Sequence, residues 1–153
     1  MFAGDDRYTT PDSSATALPT FLGNHDMGRI GYFLKNTPDA SGRDLLAHDL
    51  LFLSRGQPVV YYGDEQGFVG DGNDTGARES LFASQVPEYA KEKLLGTDRT
   101  GAQDNYSTTA PMYRQIQRLA SVVNANPEVF SSMFSSMPRS LMRRLLVESP
   151  DVI

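Results

Sequence analysis

Two short apolar runs, each stopping in a cluster of polar side chains, constrain this chain more than any other feature. Phe21-Leu22-Gly23 steps directly into Asn24-His25-Asp26 and leaves through Met27-Gly28-Arg29. Gly56-Gln57-Pro58 leads in the same way into Val59-Val60-Tyr61-Tyr62 and then Gly63-Asp64-Glu65-Gln66-Gly67. One helix-length segment separates them. Strand, helix, strand in that order is a βαβ unit, so strands over Thr20–Gly23 and Pro58–Tyr62 are predicted to be parallel neighbours bridged by a helix over about Asp44–Ser54. The run Val59 to Tyr62 has no polar alternation, which predicts a strand buried on both faces. Both polar ends then point the same way, toward the edge at which parallel α/β folds hold ligands.

The bridging helix has Ser41 or Asp39 as a cap, and Asp44 suits the positive end of its dipole. Leu46, Leu50 and Leu53, with Ala47 and Leu51, recur at helical spacing and form the expected apolar face. His48 reads as a partly buried or surface histidine with a local hydrogen bond rather than a ligand. Gly56 and Pro58 end the helix. A second helix is predicted over Pro111–Asn124, with Pro111 in its first turn and Ile116, Leu119, Ala120 and Val123 on one face. Residues 67–76 form a long Gly/Asp/Asn loop, and 97–105 a polar one.

The formal net charge of -5 argues against nucleic acid or an anionic membrane surface as partner. No apolar run approaches the ~18 residues of a membrane span. There are no cysteines, hence no disulfide framework and no thiolate metal site. The compartment stays open, and a secreted or periplasmic parent is compatible with this composition.

An amide, an imidazole and a carboxylate at a strand end admit three readings. In sugar chemistry the carboxylate stabilises an oxocarbenium-like centre while the imidazole hydrogen-bonds a hydroxyl. In a metallophosphoesterase, Asn and His bind metals, and Gly4-Asp5-Asp6-Arg7 superficially supplies an upstream partner. That family needs several histidines, and this chain has only His25 and His48. In the third reading the three residues merely shape a turn.

The second strand end separates these readings. Phe-x-x-Asn-His-Asp followed by Gly-x-Pro-Val-Val-Tyr-Tyr-Gly-Asp-Glu-x-Gly resembles the α-amylase family of glycoside hydrolases, glycoside hydrolase family 13. The resemblance covers roughly residues 1–130 and includes Pro111 to Glu128, which is similar to the last barrel helix. It implies an α/β fold, a partial (β/α)8 TIM barrel in which the two motifs end strands seven and eight. By position, Asp26 resembles the family's transition-state-stabilising carboxylate, and His25 its partner that hydrogen-bonds the sugar. Arg29 is expected to reach the glucan after the strand. Asn24 is expected to hold the strand end in shape, Tyr61 and Tyr62 to pack, and Asp64 and Glu65 to be structural. The implied partner is an α-glucan. No cofactor is required for the chemistry, and no metal is assigned to the site. Calcium is possible in the parent enzyme, with Asp71-Gly72-Asn73-Asp74 as an acidic loop that offers oxygens.

The departures are as informative. A retaining glycosidase needs a nucleophilic carboxylate and an acid/base carboxylate. In the family these come from the fourth and fifth strands, and neither motif is here. A whole barrel takes about 250 residues. Residues 1–130 are therefore expected to be the C-terminal part of a catalytic barrel, inactive without the missing N-terminal part. Residues 131–153, rich in Ser, Met and Arg, are expected to be a divergent tail, non-native or disordered. The alternative from another class is a non-catalytic amylase-like binding or structural domain.

Overall fold

The computed structural model describes residues 10, 12, 18–54, 56–70 and 74–127. The predicted βαβ unit is present: β1 (Pro19–Phe21), α1 (Ile30–Leu34), α2 (Ala40–Leu53) and β2 (Gln57–Val59) follow in order. The strands pair in parallel, with Pro19 opposite Gln57, Thr20 opposite Pro58 and Phe21 opposite Val59. Both are shorter than the sequence suggests and end earlier. Beyond β2 the chain turns through Gly63 into a short 3₁₀ turn, Asp64–Gln66. A long irregular segment with the one-turn helix α3 (Pro87–Ala90) then leads to α4 (Pro111–Ala125), which starts on its proline as expected.

The core lies between the two long helices and the sheet. Leu51 and Phe52 of α2 meet Leu119 and Val123 of α4, and Leu22, Val60, Ile116 and Ala120 pack around them. Asp39 is the cap of α2: it sits at φ 51°, and its carboxylate accepts from the amide of Gly42 at 3.2 Å. A short polar side chain tolerates that left-handed conformation because it bonds locally.

Two expectations are corrected. The inward face of α2 is Asp44, His48, Leu51 and Phe52, whereas Leu46, Leu50 and Leu53 are exposed. Both sets have helical spacing, so periodicity alone admits either. The choice is made by α4, whose Leu119 and Val123 engage Leu51 and Phe52. The strand expected to be covered on both faces is not: Val59 is 46% exposed. Among the described residues the sheet has two strands, which leaves β2 without a neighbour beyond β1. Among those residues, too, no helix is long and apolar enough to cross a membrane. The tail after Glu128 lies outside the described residues.

Candidate functional site

The turn after β1 is built by Asn24. Its backbone exchanges hydrogen bonds with Gly28 at 3.0 and 3.2 Å, and its side-chain oxygen accepts from the amides of Asp26 (2.9 Å) and Met27 (2.7 Å). The loop is drawn so tight that a Cβ on Gly23 would come within 2.6 Å of the Gly28 carbonyl oxygen. Asn24 thus holds the strand end in shape, as its position suggested. The result is that His25 and Asp26 stand side by side at an exposed tip, His25 Nε2 3.3 Å from Asp26 Oδ1.

A third residue joins them from far along the chain. The guanidinium of Arg78 reaches within 3.5 Å of Asp26 Oδ1 and 3.9 Å of Asp74 Oδ2, and its Nε donates to the His25 carbonyl at 3.4 Å. The sequence reading passed over Arg78. The available signal was a basic residue placed directly after the Gly-rich loop that follows β2, where the topology returns it to the end of β1.

Arg29 goes the other way. It is fully buried, so the expectation that it touches a glucan is corrected. Its Nε donates to Glu79 Oε2 (3.0 Å), Nη1 to Asp64 Oδ1 (2.7 Å) and the Tyr62 carbonyl (2.6 Å), and Nη2 to the Ala77 carbonyl (3.1 Å). Tyr61 stacks over the guanidinium at 4.4 Å from the ring centroid, and its hydroxyl also donates to Ala77 O. Gly63, at φ 89°, leaves room for the arrangement, since a Cβ there would lie 3.2 Å from Arg29 Nη2. Burial opposes the cation, but Asp64 and Glu79 outweigh that and raise its pKa. Burial pushes the Asp64 carboxyl up to about 6 even though Arg29 pulls it down. Asp64 is therefore an internal tie, and Glu65 accepts from the Gly63 amide at 2.7 Å, so both have the structural placement expected of them. Tyr61 and Tyr62 pack edge to face, centroids 4.7 Å apart.

The ionic chain continues at both ends. His48 is fully buried, with Nδ1 3.0 Å from the Asp44 carbonyl and 3.3 Å from Asp44 Oδ1. The local hydrogen bond is as expected, the depth of burial greater. Burial opposes its charged form, yet Asp44 and Asp64 raise its pKa. At the far end Glu92 lies against Glu79. Burial and then Glu79 push Glu92 up to about 8. Glu79 Oε1 has no hydrogen-bond partner among the described residues. Like carboxylates this close cannot both ionise cheaply.

Among the described residues no group of three His, Asp or Glu side chains is placed to hold a metal ion. Of the acidic loop considered for calcium, Asp71, Gly72 and Asn73 lie outside the described residues.

The family model described as "Alpha amylase, catalytic domain" matches residues 7–132. Over 133 residues the chain is 53% identical to an α-amylase of Streptomyces lividans, an alignment covering 83% of this chain and 14% of the relative. It is 37% identical to an α-amylase of Niallia circulans over 59% of this chain and 17% of that one. It is 32% identical to a cyclomaltodextrin glucanotransferase of Bacillus sp. (strain 38-2) over 72% of this chain and 12% of that one. The chain therefore spans less than a fifth of the length of these curated relatives.

Proposed function

The chain belongs to the α-amylase family of glycoside hydrolases, and on that premise we propose that it is the C-terminal part of a retaining, α-glucan-active catalytic barrel. In this reading β1 and β2 stand as barrel strands seven and eight, residues 1–130 are barrel and 131–153 a divergent tail. Asp26 is the transition-state-stabilising carboxylate. His25 hydrogen-bonds hydroxyls of the sugar at the cleavage point, and Arg78 orients Asp26 and offers further donors to the substrate. The nucleophile and the acid/base come from outside this chain, which by itself is inactive.

The observation that supports this reading is the exposed His25–Asp26 tip, held rigid by Asn24 and Gly28 and flanked by Arg78. A carboxylate fixed in place before the reaction favours an oxocarbenium-like centre more than the neutral ground state. Asn24, not the Asp26 carboxylate, closes the turn, and that carboxylate faces His25 and Arg78.

The test is a chimera in which residues 7–132 replace the matching segment of the Streptomyces relative. Asp26→Asn in that chimera is expected to lower kcat by about 10²–10³ while glucan binding changes little. The 153-residue chain alone is expected to show no turnover of starch. If Asp26→Asn leaves kcat within a few-fold and only lowers the melting temperature, Asp26 shapes a turn and the reading fails.

A further inference from the structure

Arg78 reaches Asp26 from a turn, and the chain fixes that turn from two sides. On the core side, the Ala77 carbonyl accepts from Arg29 Nη2 and from the Tyr61 hydroxyl, and Glu79 accepts from Arg29 Nε. On the other side the hold comes from Tyr89 of α3. The Thr75 carbonyl, first in the turn, accepts the Arg78 amide at 3.3 Å and the Tyr89 hydroxyl at 2.6 Å. A carbonyl oxygen has lone pairs for both donors. The bond that closes the turn is long for N–H···O, whereas the Tyr89 bond is short for O–H···O, so the phenol supplies the firmer of the two. Tyr89 is itself anchored. Its carbonyl accepts from the Glu92 amide at 3.1 Å, the Glu92 carbonyl accepts from the Gly101 amide at 3.1 Å, and an antiparallel bridge from Lys93 to Thr100 continues the pairing. A cavity of about 270 Å³ borders both parts, lined by Gly76 of the turn and by Glu88 and Tyr89 of α3. There the turn is spanned by a hydrogen bond rather than backed by packed side chains.

We propose that Tyr89 is a positioning residue for the site: through the Thr75 carbonyl, its hydroxyl holds the turn in the geometry that sets the Arg78 guanidinium against Asp26. The contact it serves is easily lost. Arg78 is half-exposed and 3.5 Å from Asp26 Oδ1, so water competes for the guanidinium and a small displacement of the turn separates the pair. Asp74 stands directly before Thr75 and is the other carboxylate on that guanidinium, at 3.9 Å, so the same bond also places Arg78's second anionic neighbour. Without the hydroxyl, the turn keeps only its longer closing bond on this side, while Ala77 and Glu79 stay tied to Arg29. The loss should therefore fall on Arg78 and leave the buried ionic cluster intact.

The inference takes its functional meaning from the reading of Asp26 as the stabilising carboxylate, and the first half of its test does not depend on that reading. NMR of the 153-residue chain, in mildly acidic solution, follows the Nε–Hε signals of Arg78 and Arg29 in the parent, Asp26→Asn and Tyr89→Phe. Asp26→Asn marks where the Arg78 signal lies once the contact is gone. Tyr89→Phe is expected to carry the Arg78 signal toward that position while the Arg29 signal stays in place. An Arg78 signal that Tyr89→Phe does not move would overturn the proposal. So would an Arg29 signal that moves with it, because the phenol then supports the fold as a whole. The second half is kinetic, in the chimera with the Streptomyces relative. Tyr89→Phe is expected to raise KM by no more than the about two- to fivefold of Arg78→Met, with little change in kcat, and to add nothing in the double variant. An equal effect of Tyr89→Phe with and without Arg78 would overturn the proposal. If Arg78→Met itself leaves KM unchanged, the use of Arg78 on substrate fails, and the NMR comparison alone decides whether Tyr89 places it.

Discussion

Replacing Arg29 by Met removes the one cation that two buried carboxylates share. Met keeps an unbranched stem in place of Arg's but has no charged, hydrogen-bonding tip, so the main loss is electrostatic. Four hydrogen bonds go at once, to Glu79, Asp64 and the carbonyls of Tyr62 and Ala77. Both carboxylates are almost without solvent, at 4% and 2% exposure. Removing one partner of a buried ion pair costs about 3–5 kcal/mol, a large share of the 5–15 kcal/mol that holds a typical domain together. The loss has a ceiling, because a stranded carboxylate can take up a proton. Burial already pushes Asp64 up to about 6 with Arg29 in place, and without the cation it rises further. A raised carboxyl pKa in the folded state means that stability falls as pH rises through that window. The penalty should therefore be small in acid and widen toward mildly alkaline pH. Urea unfolding followed by circular dichroism, at several pH values, measures this directly. Adding Asp64→Asn and Glu79→Gln to Arg29→Met should recover most of the loss, because no charge is then stranded. A penalty under about 1 kcal/mol at alkaline pH, or one that does not change with pH, would refute the reasoning.

Glu92→Gln should flatten the pH dependence of stability. The parent's contribution from Glu92 is complete below the ordinary glutamate value and is lost as pH rises toward about 8; a permanent amide donor to Glu79 should gain about 1 kcal/mol in alkaline solution, allowing for partial solvent screening. In the catalytic chimera, Arg78→Met should raise KM about two- to fivefold with a smaller change in kcat, since its contact with Asp26 is half-exposed; steady-state kinetics on a soluble glucan reads both.

What was legible in the sequence was whatever depends on order along the chain. The parallel pairing, the bridging helix, the proline start of α4 and the turn-holding role of Asn24 all follow from local spacing and residue type. What was not legible depends on a distant segment. Arg29 and Arg78 are both arginines near a strand end in the topology, yet one is buried and one is at the surface. The difference lies in Glu79, which draws Arg29 inward, and in the path of residues 74–79, which delivers Arg78 to Asp26. The inward face of α2 was ambiguous for the same reason: two leucine-bearing faces fit the helical period, and α4 selects one. The open faces of β2 go with a sheet that has two strands among the described residues, the number of strand motifs the sequence shows.

The order in which these parts leave the ribosome sets how long each waits. The Thr20 hydroxyl of β1 bonds the Gln57 carbonyl, a partner made 37 residues later. At about 5–20 residues per second that is roughly 2–7 s, time enough for α2 to form between them. The core waits longer. Leu51 and Phe52 have Leu22 and Val60 beside them early, but meet Leu119 and Val123 only about 70 residues on, or roughly 3–14 s later. A nascent chain arrested before Pro111 should hold that apolar pair open to chaperones, and one extended past Ala125 and clear of the exit tunnel should have closed it.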